Sequence, residues 1–521
     1  MLSRILTVGG LTLLSRVTGF ARDIVLAAIL GAGPLADAFF IALRLPNHFR
    51  AIFAEGAFNA AFVPAYARVR GQGGPDAAKY FADRIFTLLF AVELVLLALA
   101  LVFTPTVISV LAPGLDPERF TLATALTRIT FPYLLLVSLV TLYGGILNTL
   151  GRFASPAAAP ILLNVAMMLT LGLAWLFPSA GYAAAWGVLL AGCLEALLVG
   201  SDAYAQGVLP RFARARFDDD LKRFFRALGP AVLGSAGTQI ALFADTIIAS
   251  FLPAGALSAL YYADRLNQLP IGVIGIAVGT VLLPEMASRL ARGDEVGARG
   301  AQDRAVELTL LMSLPCFVAF LMVPDLIMLA LFGHGKFTAA DAAAAGATLA
   351  AYTVGLVPFV LARVLSATFL SRGDTATPVK ALAVGVAVNV ALKIVLMKPL
   401  AQVGLAFATS IGVWINVALL LWFALRARLL SFDQRLQTST LKLLAAAAIL
   451  ALALWLGELI LAPLLAPLPR FRSEALLLAL AVVGMIAYVG TITLLFDRKW
   501  FSAFRGRPAP ATATAPPPAA A

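Results

Sequence analysis

Long runs of apolar residues recur along almost the whole chain, and each ends at a cluster of Gly, Pro or charged residues. A membrane-spanning helix needs about 20 largely apolar residues. Backbone groups inside a bilayer must bond within the protein, so a spanning chain forms helices or a closed barrel. These runs do not alternate between apolar and polar residues as barrel strands do. The pattern therefore predicts an all-α polytopic membrane protein with about fourteen transmembrane helices. The predicted spans are 5–31, 35–68, 80–111, 121–149, 157–177, 182–206, 225–251, 256–288, 304–332, 342–370, 377–397, 402–425, 440–462 and 474–496.

Composition agrees with this prediction and adds a net positive charge. The chain has 521 residues, of which 61% are hydrophobic and 13% charged, whereas soluble domains carry about 25% charged residues. The formal net charge is +12, which in a membrane protein attracts anionic lipid rather than nucleic acid. The first apolar run contains Arg16, Arg22 and Asp23 and has no clear small-residue cleavage signal. It is therefore predicted to be a retained helix and not a signal peptide.

Basic residues in the connections predict the orientation in the membrane. If the N-terminus is cytoplasmic, the connections on that side carry most of the Lys and Arg outside the spans, with dense groups at 211–226 and 289–304. Basic residues concentrate on the cytoplasmic side of membrane proteins. Both termini are therefore predicted to be cytoplasmic. The opposite side carries only Arg119, Lys336, Lys398, Arg470 and Arg472.

An internal repeat divides the chain. The segment Asp23–Gly33 resembles Asp245–Gly255 at an offset of about 222 residues, and Arg152 matches Arg372 at nearly the same offset. This offset covers six predicted helices, so a pseudo-two-fold axis along the membrane normal is expected to relate the two halves. The tail is rich in Pro, Ala and Thr and is predicted to be disordered. The predicted organisation is an N-lobe at 1–209, a C-lobe at 210–430, two extra helices at 431–499 and a cytoplasmic tail at 500–521.

Charged side chains lie inside several predicted helices, where an ionised group costs at least about 2.5 kcal/mol. Such groups normally face a cavity or a partner. Arginine keeps its charge and forms bidentate bonds to phosphate, and arginines outnumber carboxylates in this set. We therefore predict a central arginine-lined cavity that binds an anion such as a diphosphate. The predicted site residues are Arg16, Arg22, Asp23, Asp37, Arg44, Arg50, Glu55, Asp264 and Arg265.

The alternative interpretation is that these charges pair with one another and hold the helices together. Arg16 and Asp23 are seven residues apart and share a helix face, as do Asp37 and Arg44. Pairing alone would leave part of the set without a partner, because basic residues exceed acids, and Arg363 in the tenth span adds another.

Other polar residues give weaker signals. Asp245 and Asn389 are oxygen donors in the seventh and eleventh spans and could bind a cation, although Lys393, one turn from Asn389, opposes this by repulsion. Asp218–Asp220 is interpreted as a helix start rather than a metal motif, because acids at a helix N-terminus interact favourably with the dipole. The histidines and cysteines show no ligand spacing, so no metal site is predicted.

Several longer strings stand out in the sequence. They are RVTGFARD at 16–23, DAFF at 37–40, LPN at 45–47, IFAEGAF at 52–58, ITFPY at 129–133, YYADRL at 261–266 and GKFT at 335–338. Together they resemble the MurJ (MviN) family of lipid II flippases. The match covers residues 1 to about 430, and the last two spans match mainly by position.

The resemblance implies the fold of the multidrug/oligosaccharidyl-lipid/polysaccharide exporter superfamily, with two six-helix lobes plus two helices that form a groove for a lipid tail. It implies alternating access that moves lipid II, the undecaprenyl-diphosphate-linked peptidoglycan precursor, from the cytoplasmic to the periplasmic leaflet of a bacterial inner membrane. Cell-wall synthases are then candidate protein partners, and nucleic acid is not one.

The resemblance also implies roles for individual residues. Some family members bind sodium between helices seven and eleven. Asp245 and Asn389 match part of that pattern, and Lys393 replaces an expected ligand. Sodium or the membrane potential is therefore the expected drive, and no other cofactor is expected. The essential cavity arginines of the family carry over to Arg16, Arg22, Arg50 and Arg265, its acidic cavity and gate positions to Asp37 and Glu55, and a basic position to Arg44.

Two other functions compete with this one. An exporter of another polyprenyl-linked oligosaccharide or of a drug would share the fold, but a cationic drug would need an acidic cavity. A membrane-bound glycosyl- or acyltransferase would need an acidic metal motif or a His/Asp pair at a membrane face, and neither stands out in the sequence. The chain is therefore expected to be a transporter and not an enzyme.

Overall fold

The described part of the chain is helical throughout. The computed structural model describes residues 2–50, 56–214, 217–430, 433–468, 470–497 and 500, and within them there are seventeen α-helices, a short 3-10 turn at Ala174–Leu176 and no β-strand. The helices are α1 Leu2–Leu30, α2 Pro34–Arg50, α3 Gly56–Val102, α4 Thr104–Leu111, α5 Pro117–Thr130, α6 Pro132–Thr149, α7 Ala154–Gly172, α8 Ala180–Ala205, α9 Asp219–Ser250, α10 Ala256–Ala291, α11 Glu295–Met322, α12 Pro324–Phe332, α13 Ala339–Thr353, α14 Leu356–Leu370, α15 Ala376–Arg426, α16 Gln434–Leu464 and α17 Arg472–Leu495.

This architecture confirms the predicted all-α polytopic fold class. Within the described residues, nine helical segments are long and apolar enough to cross a membrane. Two of them are long because a kink joins two helices, at Gly74 in α3 and at Ala401 in α15. The helices α1, α2, α9 and α10 carry the predicted site charges that lie on described helices.

Some predicted spans are interrupted in the structure. The predicted span 35–68 covers α2 and the start of α3, and residues 51–55 between these two helices lie outside the described residues. The span 121–149 lies within one candidate membrane span, Pro117–Thr149, although Pro132 opens α6 within it. The span 304–332 is divided at Val323, since Pro324 opens α12. Proline has no N–H and fits the first turn of a helix, so these sites begin new helices.

The described chain separates into two compact units. The first unit contains 1–272, 323–359 and 379–419, and the second contains 273–322, 360–378 and 420–521. An aromatic core lies inside the first unit, where Phe58 stacks on Phe62 with ring centroids 5.2 Å apart.

The second unit is held by bonds between its own helices. The Tyr488 hydroxyl donates to the Leu311 carbonyl at 2.8 Å and so joins α17 to α11. The Lys442 ammonium donates to the Leu495 carbonyl at 2.8 Å and joins α16 to α17. The division of the chain into lobes at 1–209 and 210–430 stays a prediction.

Candidate functional site

Arg22 and Asp23 form the centre of a buried polar network in α1. Arg22 is 7% exposed and Asp23 is 3% exposed. The Arg22 guanidinium donates to Asp23 Oδ1 from Nε at 3.1 Å and from Nη2 at 2.8 Å. Its Nη1 donates to Asn164 Oδ1 at 3.0 Å. An arginine with this many partners is held in one orientation, because its donors lie in a rigid plane.

Asn164 in α7 fixes α1 from the other side. Its Nδ2 donates to the Ser15 carbonyl and to Thr18 Oγ1, both at 3.0 Å. Residue-by-residue reasoning missed Asn164, although a carboxamide inside an apolar run is a recognisable signal. The residue positions both the backbone of α1 and the guanidinium of Arg22.

The helix α10 brings Tyr261 and Arg265 to the same carboxylate. The Tyr261 hydroxyl donates to Asp23 Oδ1 at 3.1 Å, and Arg265 Nε lies 3.7 Å from Asp23 Oδ2. The Arg265 guanidinium lies over the Tyr261 ring, 4.9 Å from its centroid, and that ring stacks on Phe40 of α2 at 3.9 Å. The side chain of Arg265 is still 40% exposed, so its outer donors remain accessible.

Arg16 is the most accessible of the three predicted site arginines on α1 and α10. It is exposed, and among the described residues it forms no ion pair. A Cβ added at Gly272 of α10 would lie only 2.5 Å from Arg16 Nη1. The guanidinium therefore lies directly against the helix backbone, which only a glycine at this position allows.

Asp37 in α2 is fully buried and caps the start of α10. Its carboxylate accepts the Gly255 N–H at 2.7 Å, the Ser258 N–H at 2.8 Å and the Ser258 hydroxyl at 2.6 Å. Arg119 Nη1 lies 3.5 Å from Asp37 Oδ2. All of the strong acceptor positions of Asp37 are thus used within the protein. Its predicted role in binding substrate stays a prediction.

The ion pairs considered from spacing are not the pairs that form within the described residues. Asp23 pairs with Arg22 and Arg265 rather than with Arg16, and Asp37 pairs with Arg119 rather than with Arg44. Spacing on one helix places two residues on a common face, but here the partners come from other helices or from the adjacent position.

Asp116 lies outside the membrane spans and binds Arg119, the residue that contacts Asp37. Its Oδ2 accepts from Arg119 Nε at 2.6 Å, and its Oδ1 accepts the Arg119 N–H at 2.9 Å as the N-cap of α5. These two bonds, the backbone bond first, lower the pKa of Asp116. The carboxylate is therefore ionised at neutral pH and helps to hold Arg119 against Asp37.

Arg44 and Asp264 lie near each other but are not bonded. The charges of Arg265 and Arg44 both act on Asp264, whose Oδ2 accepts from Gln268 Nε2 at 2.5 Å. Arg44 is partly exposed and forms no ion pair with any described residue. Two predicted residues remain. The side chain of Arg50 and the whole of Glu55 lie outside the part of the chain that the structure describes.

Arg363 belongs to the second unit and lies against a glycine of that unit. A Cβ added at Gly275 would lie 2.8 Å from Arg363 Nη1. It resembles Arg16 in this respect, since each guanidinium packs against glycine backbone in α10.

The predicted cation site contains an internal ammonium. Lys393 Nζ donates to Asp245 Oδ1 at 2.5 Å, and Lys393 is 3% exposed. Asn389 Oδ1 is buried without a hydrogen-bond partner among the described residues. Cation binding by Asp245 and Asn389 stays a prediction.

The acidic segment Asp218–Asp220 starts α9, as expected. Asp218 Oδ1 accepts the Leu221 N–H at 3.1 Å, and Asp218 Oδ2 accepts from Arg84 at 2.5 Å. Burial alone would raise the pKa of Asp218, but these two bonds outweigh it and lower the pKa. The segment therefore has a local structural role at the start of a helix.

Comparison with known proteins adds family information to this geometry. A family model described as "Lipid II flippase MurJ" matches residues 26–468. The Rhizobium meliloti (strain 1021) protein named "Probable lipid II flippase MurJ" is 40% identical over 496 residues, which cover 94% of this chain and 92% of that protein. The Burkholderia cenocepacia protein named "Lipid II flippase MurJ" is 37% identical over 432 residues, which cover 81% of this chain and 83% of that protein.

Solved structures agree with the fold. The structure of "Lipid II flippase MurJ, inward closed conformation" has a TM-score of 0.79 at 24% identity and covers 94% of this chain and 98% of that one. An inward-facing multidrug resistance transporter of the MATE family, within the MOP superfamily, has a TM-score of 0.67 at 17% identity, over 80% of this chain and 95% of that one. At these identities the likeness concerns the fold.

Proposed function

Because the chain belongs to the MurJ family of lipid II flippases, we propose that it moves lipid II from the cytoplasmic to the periplasmic leaflet of a bacterial inner membrane. The arginines of α1, α2 and α10 bind the diphosphate of this substrate. Both chain termini lie in the cytoplasm. The transport cycle is alternating access, which is supported by the inward-facing and outward-facing forms in which transporters of this fold have been solved.

The observation that carries the proposal is the excess of arginine over carboxylate around Asp23. Arg22 and Arg265 share this single carboxylate, and Arg16 has no carboxylate partner among the described residues. Arg44 and Asp264 add one charge of each sign nearby. A positive excess in a low-dielectric region attracts an anion strongly. A diphosphate offers several charged oxygens, pairs of which a guanidinium group binds in a bidentate manner.

The three arginines differ in what they can contribute. Arg22 is buried and fully bonded, so it supplies positive potential and keeps Asp23 in place. Arg265 and Arg16 are accessible and can donate directly to a phosphate. The Tyr261 ring holds the Arg265 guanidinium in one position over its face. This reduces the conformational entropy that Arg265 loses when the substrate binds.

The two C-terminal helices fit contact with a hydrocarbon chain. The helices α16 and α17 leave large apolar side chains uncovered along their length, including Leu441, Leu459, Leu478 and Met485. A substrate with a long polyprenyl tail needs such a surface while its head group crosses the protein.

The test is substitution of the accessible arginines in a strain that is depleted of its own flippase and carries this chain. Arg265→Ala and Arg16→Ala are each expected to reduce lipid II exposure on the periplasmic face at least about tenfold, since a charge-assisted hydrogen bond contributes about 1.5–3 kcal/mol. Exposure is measured by cleavage of lipid II by an enzyme that cannot cross the membrane.

The matched control is Arg214→Ala, which removes an exposed arginine outside the membrane spans. This variant is expected to retain lipid II exposure and growth. Normal growth and normal exposure in both cavity variants, at equal protein levels in the membrane, would contradict the proposal.

A further inference from the structure

Lys393 in α15 is a buried lysine that the proposed lipid II site does not use. It is 3% exposed, and its ammonium donates to Asp245 of α9 at 2.5 Å. Burying an ammonium is costly unless it is paired and hydrogen-bonded. Packing alone therefore does not explain why the charged pair of Lys393 and Asp245 is buried here.

Asn389, one turn before Lys393, has a buried Oδ1 without a hydrogen-bond partner among the described residues. Asn416 has another such Oδ1 and faces Gly385, two turns before Lys393. The two halves of α15 approach closely here. A Cβ added at Gly412 would lie 2.7 Å from Asn389 Cβ, and one added at Gly385 would lie 3.2 Å from Asn416 Cβ. A carboxylate and carboxamide oxygens are the ligands that hard cations prefer.

The charge of Lys393 also reaches the arginine site. Lys393 acts electrostatically on Asp264, which lies in the field of Arg44 and Arg265 as well. Tyr352 of α13 lies in the fields of both Asp264 and Asp245. These interactions lie within the first unit. The lysine thus adds positive potential both to α9 and to the carboxylate beside the substrate arginines.

We propose that the ammonium group of Lys393 occupies the position between α9 and α15 that a free monovalent cation would otherwise take. Its ammonium neutralises Asp245 without any ion from solution. The protein therefore needs no sodium at this position for stability or for transport. Removal of the ammonium leaves the oxygens of Asp245 and Asn389 free for a sodium ion to bind.

The first test measures thermal unfolding of the purified full chain in sodium chloride and in choline chloride at equal ionic strength. The natural protein is expected to show the same Tm in both salts. Lys393→Met is expected to have a lower Tm, because Asp245 loses its partner, and sodium but not choline is expected to raise that Tm by at least about 2 °C.

The control for this measurement is the double variant Asp245→Asn with Lys393→Met. It removes both charges, so its Tm is expected to recover and to lose the response to sodium. If Lys393→Met yields no folded protein, Lys393→Gln serves the same comparison. A sodium-specific Tm shift in the natural protein, or folded Lys393 variants that ignore sodium, would overturn the proposal.

The second test measures lipid II exposure in cells when external sodium is replaced by choline, and it alone depends on the proposed function. Exposure with the natural chain is expected to be unchanged. A fall of more than about half would show that sodium is required and would overturn the role of Lys393. Failure to expose lipid II in either medium would instead contradict the lipid II function, and the unfolding comparison would still decide the inference about Lys393.

Discussion

Tyr261 shows how one side chain can serve two arginines. Its hydroxyl donates to Asp23, and its ring contacts both the Arg265 guanidinium and the ring of Phe40. The hydroxyl and the ring therefore have separable functions. The hydroxyl orients the shared carboxylate, and the ring orients Arg265, the arginine proposed to bind the substrate.

The substitution Tyr261→Phe separates these functions. It keeps the ring but removes a buried hydrogen bond to a carboxylate, which contributes about 1.5–3 kcal/mol. We expect lower lipid II exposure in the depleted strain because Asp23 is free to change its orientation. The control is Tyr262→Phe, which removes a hydrogen bond from a hydroxyl to the Gly31 carbonyl outside the arginine network. If both variants lose equal stability and equal transport, Tyr261 acts only through stability.

At the residue scale, the sequence predicted part of the site. The cost of charge in a membrane identified Arg16, Arg22, Asp23 and Arg265. The structure pairs Arg22 and Arg265 with Asp23 and places Arg16 against Gly272 of α10. Their partners could not be deduced from spacing, because Asn164 reaches α1 from a helix that is 142 positions away in the chain. Asp37 was identified for its charge, but its contacts with the start of α10 depend on how two distant segments pack.

At the scale of the element, the long helices contain kinks that the hydrophobic pattern does not reveal. The backbone of α3 has φ of 79° at Gly74, and that of α15 has φ of 45° at Ala401. The predicted spans nevertheless end near both positions, because the apolar runs are interrupted there by Gly, Pro and polar residues. Sequence reasoning therefore placed the ends of the spans but not the conformations that join them.

The kink in α3 predicts that alanine substitutions at two nearby glycines have opposite effects on stability. Nothing lies within 4 Å of a Cβ added at Gly74 or at Gly71, so the backbone alone decides the outcome. Gly74→Ala is expected to destabilise the protein by about 1 kcal/mol, because its positive φ disfavours any side chain. Gly71→Ala is expected to stabilise by a similar amount, because alanine favours a regular helix.

Thermal unfolding of the two purified variants checks this prediction. The expected changes in Tm have opposite signs. Equal changes would show that the helix is not kinked at Gly74 in solution.

At the scale of the whole molecule, the distribution of basic residues predicts which segments face the cytoplasm. The prediction can be tested with cysteine labels, after the natural thiols Cys193 and Cys316 are replaced. Arg214→Cys is expected to be protected from a reagent that cannot cross the inner membrane, and Ala339→Cys is expected to react with it. Both positions are exposed. Reaction at Arg214→Cys in intact cells, with protection at Ala339→Cys, would mean that the orientation is inverted.

The carboxylate of Asp23 pairs with both Arg22 and Arg265. It therefore competes with the proposed diphosphate for the positive charge of these arginines. In the proposed function, a diphosphate binds the outer donors of Arg265 while Asp23 stays beside Nε, so the two anions share one guanidinium and repel each other. A carrier has to release its cargo in every cycle, so very tight binding would slow its turnover. The Asp23 carboxylate limits how tightly the diphosphate binds. The residue that orients Arg22 therefore also favours release of the substrate.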